Sequence, residues 1–151
     1  MFVFVKNPRD ILARMAAALA PDGVIVLHEY FDYSTWRAAP PCPELEEFVN
    51  AVMASWRDTG GESDIALWLP RWLEEFGFEL RSARPILDVV EPDHLSWTWL
   101  ATFLEVGHRR LVDLGYLTPA ESIWHAFTAL RATPGARMIT PAVLEITARR
   151  R

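Results

Sequence analysis

Apolar positions along the first part of the chain change period at one short turn. In "NPRDILARMAAALA", Ile11, Leu12, Met15 and Leu19 recur at helical spacing, Asn7 suits the N-cap and Pro8 the first helical position. After Pro21-Asp22-Gly23 the run Val24 to Leu27 is aliphatic at every position. That is the pattern of a parallel strand covered on both faces, so a helix, a turn and the second strand of a βαβ unit are expected here. Only "MFVFV" lies upstream to supply the first strand of that unit.

Beyond the Pro-rich connection "YSTWRAAPPCP", the positions Leu45, Phe48, Val49, Val52, Met53 and Trp56 predict an amphipathic helix ending near Gly60-Gly61. "ALWLPRWLEEF" predicts a helix broken or restarted at Pro70 and closed by Gly77. Phe78 to Val90 reads as a strand, and Pro85 within it argues for an edge position or a bulge. Asp93 to Leu114 is helical, with a break expected at Gly107. Thr118, Pro119 and Glu121 form a capping box for a helix whose stripe is Ile123, Phe127 and Leu130. β-branched residues around Val143 to Thr147 predict a closing strand.

The 151 residues are 51% hydrophobic, enough to build a sizeable core in one domain. A net charge of -5 offers no broad positive field to a phosphate backbone, so nucleic acid is not an expected partner, and the closing "RRR" reads as a solvated terminus. Cys42 is the lone cysteine, which fits a reducing, cytoplasmic setting. The apolar start stops at Lys6, and no apolar run approaches the roughly 20 residues of a membrane span, so no membrane partner is expected. Neither a metal-ligand spacing nor a nucleophile elbow is present.

Taken in order, "LAPDGVIVLHEY", two helices, "EEFGFEL", the Pro85 strand, a helical insertion and "PAVLEITARR" resemble the C-terminal half of a bacterial class I S-adenosylmethionine-dependent methyltransferase. The resemblance spans nearly the whole chain. In that family the turn before the fifth strand is usually Pro-Gly-Gly, and Asp22 is a departure from it. The fold it implies is α/β, a partial Rossmann-like methyltransferase fold made of the last three strands in the order 5-7-6, the seventh antiparallel. Residues 1–151 are then a single domain, with 93–133 a helical insertion or lid. The cofactor implied for the complete protein is S-adenosylmethionine. The family binds it through a Gly-rich loop after the first strand and an acidic residue ending the second. Neither motif occurs in this sequence, and Gly60-Gly61 follows no strand, so the chain reads as truncated or completed by another chain, and inactive alone.

Ligands of open α/β sheets gather at the carboxyl ends of strands, which places His28, Glu29 and Tyr30 beside a small-molecule methyl acceptor. His28 is the candidate general base for a hydroxyl acceptor. Tyr33, Trp36, Trp97 and Trp99 are candidate aromatic walls for the substrate. The opposing reading makes His28 and Glu29 a surface hydrogen bond at the strand end. Trp56, Trp68, Trp72 and Trp124 fall on helical stripes and read as core. His94, His108 and His125 read as surface or cap residues, and Glu44, Glu46 and Glu47 as a solvated first turn suited to the helix dipole. A rival function is a non-catalytic small-molecule-binding or assembly module that uses the aromatic pocket and an open strand edge. Either way, association into a homo-oligomer or with the missing half is expected, because the fifth strand lacks its neighbour.

Overall fold

A computed structural model describes residues 2–119 and 122–151. In chain order the elements are a 3-10 turn at Phe2–Phe4, α1 (Pro8–Ala18), β1 (Val24–Asp32), a 3-10 turn at Tyr33–Thr35, β2 (Arg37–Ala39) and α2 (Pro43–Asp58). There follow a 3-10 turn at Ile65–Leu67, α3 (Leu69–Glu75), β3 (Phe78–Ile86), β4 (Val89–Val90), α4 (Leu95–Asp113), α5 (Ser122–Ala132), β5 (Arg137–Ile139) and β6 (Ala142–Arg150). Glu121 of the expected capping box lies outside the described residues. Among the described residues no helix is long and apolar enough to cross a membrane. The protein is mixed α/β and divides into two compact units.

The first unit comprises Met1–Asp32, Trp56–Ile86 and Ala142–Arg151. Its sheet has the order β1-β6-β3, and β6 is antiparallel to both neighbours. β3 is therefore an edge strand, where Pro85 costs no outer ladder bond, and its register shifts between Leu80 and Ser82. α1 begins after Asn7 with proline in its first turn and buries Leu12 and Ala16. These join Ile25, Leu27, Leu69, Leu73, Phe78, Ile146 and Ala148 in the core. Each fully buried Leu, Ile or Phe among them contributes about 1.5–3 kcal/mol of transfer free energy.

Two expectations fail in this unit. β1 is not buried on both faces: Val24 and Val26 are 55% and 56% exposed, whereas Ile25 and Leu27 are buried. An unbroken aliphatic run fixes strand propensity but not which faces are covered. "MFVFV" does not supply a strand either. Phe2–Phe4 coils into a 3-10 turn that buries Phe2 and Val3, and the Val3 carbonyl accepts from the Glu62 amide. The turn before β1 holds Asp22 at φ 64°, the left-handed region in which Asp is one of the few tolerated non-glycine residues. Its carboxylate accepts from Arg149 at 2.7 Å, tying the turn to β6.

The second unit comprises Tyr33–Ser55 and Leu87–Pro141. Its sheet, β2-β5-β4, is built from strands of two or three residues. Aromatic packing does what so short a ladder cannot: Trp36 lies 5.9 Å from Phe48 and 6.3 Å from Phe103, ring centre to ring centre. α4 runs unbroken through Gly107, against the expected break. A Cβ there would sit 3.0 Å from the Phe48 ring, so the glycine marks a close approach of that ring to the helix rather than a helix stop. Ile123, Phe127 and Leu130 of α5 are buried as their spacing implied.

The tryptophans assigned to the core divide. Trp56 and Trp72 are half-buried, but Trp68 and Trp124 are 49% and 45% exposed. Trp68 stacks on Trp72 at 6.5 Å, and the Arg9 guanidinium lies over the Trp72 ring. Helical spacing placed these indoles near an apolar stripe, and the stripe proves too narrow to cover them.

Candidate functional site

Side chains alternate along β1: His28 projects on the exposed face with Val24 and Val26, and Glu29 on the buried face with Ile25 and Leu27. Register then builds a polar row across three strands, because His28 pairs with Glu145 of β6, and Glu145 with Arg84 of β3. His28 Nε2 lies 2.9 Å from Glu145 Oε2, and the Arg84 guanidinium donates to Glu145 Oε1. The Arg84 hydrogen bond first, and the His28 one second, hold the Glu145 carboxyl below the usual carboxylate range. A carboxylate can only accept, so a neutral His28 carries its proton on Nε2 and presents Nδ1 as its basic atom. The row can therefore orient an imidazole, take a proton at Nδ1 and stabilise the resulting imidazolium through Glu145.

This arrangement corrects the placement of the strand-end cluster. β1 continues to Asp32, so His28, Glu29 and Tyr30 lie within the strand, and consecutive side chains on opposite faces cannot line one pocket. Glu29 is 4% exposed and its Oε1 accepts the Phe2 amide at 2.7 Å, a structural bond in the interior. Tyr30 stacks on Trp56 at 6.1 Å. Its hydroxyl is pushed up to about 12, by burial first and by the Glu29 charge second.

The aromatic candidates all belong to the second unit. Tyr33 and Trp36 are 1% and 0% exposed and meet edge to face at 6.1 Å, while Trp36 Nε1 donates to Met138 Sδ at 3.1 Å. Trp97 is fully buried, donates to the Val90 carbonyl at 3.3 Å and packs on Phe127. Tyr33 and Trp97 are thus core side chains, and Trp36, itself fully buried, borders a cavity of about 70 Å³, small for a substrate, beside Ser34, Arg37 and Glu46. Trp99, two positions along α4, is 51% exposed. Glu145 and Arg84 are the residues that sequence reasoning missed. Their period-2 placement on outward faces was readable, but the register joining them to His28 was not.

Among the described residues, the Gly60-Gly61 pair does not fit the Gly-rich loop expected for S-adenosylmethionine. Gly60 and Gly61 connect α2 to the Ile65–Leu67 turn, and a Cβ on Gly61 would stand 2.2 Å from the Val3 carbonyl oxygen. That glycine makes room for neighbouring backbone and presents no cradle for a nucleotide. Among the described residues, no group of three or more His, Cys, Asp or Glu could hold a metal ion.

No protein-family model matches the chain, and no curated protein matches it. Among solved structures it is similar to a protein from Bacillus halodurans C-125 that is provisionally assigned as a methyltransferase, at 13% identity and a TM-score of 0.48. The match covers 97% of this chain and 64% of that one.

Proposed function

We propose that the chain is the substrate-recognising, C-terminal portion of a cytoplasmic S-adenosylmethionine-dependent methyltransferase acting on a small molecule, with the cofactor held by residues outside these 151. One observation supports this most: β6 lies reversed between β1 and β3, so that β1 and β3 run the same way, β1 preceded by α1 and β3 by α3. A Rossmann-like sheet ending in strands 5-7-6 needs this arrangement. In this reading His28 is the general base. Its Nδ1 takes the proton of an acceptor hydroxyl while Glu145 holds the ring at Nε2.

The test is to read the DNA upstream of Met1 for a strand, Gly-rich loop and helix, in frame or after one frameshift, and to make the longer protein. Calorimetry is expected to give micromolar affinity for S-adenosylmethionine, about -8 kcal/mol, in the longer protein and no saturable heat in the 151-residue chain. Micromolar binding by the short chain would misplace the cofactor, and a longer protein that does not bind would overturn the reading.

A second reading, a non-catalytic assembly module, is favoured by the position of β1 at the end of its sheet. Among the described residues β1 has a partner strand only on its β6 side, and Val24 and Val26 beside that edge are exposed. Such an edge promotes strand pairing with a second copy or with a chain bearing the other half. Sedimentation of the chain should then show a dimer or larger species that Val26→Lys converts to monomer; a monomeric parent chain sinks this reading.

A further inference from the structure

Within the second unit, α4 and α5 border a groove of about 650 Å³. That volume falls inside the range of about 300–1,000 Å³ found for small-molecule sites. We propose that this groove binds a small organic cation, an ammonium group on an apolar and preferably aromatic body.

Size admits a ligand, and the lining selects its chemistry. Leu104 and Ile123, 1% and 6% exposed, give the groove an apolar floor. Trp124 also lines it while remaining 45% exposed, so a large aromatic side chain is left at the mouth of a cavity, where its π face can meet a cation. Glu105, Arg109 and Asp113 follow one another at intervals of four along α4, and all three line the groove. Residues at that spacing share a helix face. One guanidinium can offset one carboxylate, so this face keeps a net negative charge. His108 from α4 and His125 from α5 reach the same space, and as neutral imidazoles each can accept a hydrogen bond from an ammonium N–H. An anionic ligand would meet the uncompensated carboxylate, whereas an ammonium compound finds a charge partner, an aromatic face and an apolar floor together. The two histidines are thus surface residues that border a groove.

None of the lining residues belongs to the His28 row, so the test of this site is separate from that of methyl transfer. The isolated chain is titrated at neutral pH by calorimetry with tryptamine and with indole-3-propionate, which share a ring and differ in charge. Tryptamine is expected to bind saturably with a submillimolar constant, and the anion at least about tenfold more weakly, a difference of about 1.4 kcal/mol. The double variant Glu105→Gln, Asp113→Asn should remove most of that preference, and Trp124→Ala should weaken tryptamine and reduce the preference less. All three positions are exposed, and thermal melting checks that each variant remains folded. Equal affinity for amine and acid, no saturable binding of tryptamine, or unchanged discrimination in the folded double variant would each overturn the proposal.

Discussion

The two units spend their hydrophobic residues differently. In the first, strands run to nine residues and β1 alternates from Val24 to Glu29: Leu27 pairs with Ile146 on the inner face, while Val26 pairs with Thr147 and His28 with Glu145 on the outer one. In the second, strands of two or three residues are too short for such a face, and cohesion comes from rings packed edge to face around Trp36. A long ladder thus leaves one face open to carry polar chemistry. A short ladder instead draws its aromatic residues inward, which is why residues that look suited to a substrate wall become core.

Removing the centre of the aromatic cluster is the harshest way to break this contrast. Trp36→Ala deletes a fully buried indole with three aromatic neighbours and a bond to Met138. It is expected to cost about 3–5 kcal/mol in urea unfolding. A loss below about 1 kcal/mol would mean that the cluster does not carry the second unit.

A smaller effect is expected at Gly107. Alanine in place of a helical glycine normally gains about 1 kcal/mol. Here the new methyl would meet the Phe48 ring at 3.0 Å, and that ring is fully buried against Trp36 and Phe103. Overpacking costs about 1–3 kcal/mol, so a net destabilisation is expected, and a raised melting temperature would show that the ring can yield.

The open sheet face should respond least. Glu145 titrates lower in the folded chain than its ordinary value, so the stability it contributes is present above about pH 4.3 and is lost as pH falls through its lower folded value. Glu145→Gln should remove that acid-side slope and leave neutral-pH stability almost unchanged, since Arg84 and His28 are largely exposed. In the same variant the His28 ring loses its orienting carboxylate, which nuclear magnetic resonance of the imidazole nitrogens would register as a mixture of tautomers. An unchanged Nε2–H form would argue against Glu145 as its positioning residue.

How much of this was legible beforehand depended on the range of the interaction involved. Helix positions, the restart at Pro70, the edge placement of β3 and the closing strand follow from local period and backbone chemistry, and sequence alone determined them. Burial of the Tyr33, Trp36 and Trp97 rings was not legible, since an aromatic side chain has the same pattern in a core as in a pocket and only its neighbours decide. Nor was Gly107, whose role is set by Phe48, nearly sixty positions away. The His28, Glu145 and Arg84 row depends on strand register across 117 and 61 positions, and a slip of one residue would have turned each side chain to the opposite face. Periodicity and β-propensity therefore marked the long strands β1, β3 and β6, though not the short β2 and β5. Only the tertiary structure decided which face water reaches and which charges meet on it, because both depend on neighbours far away in sequence.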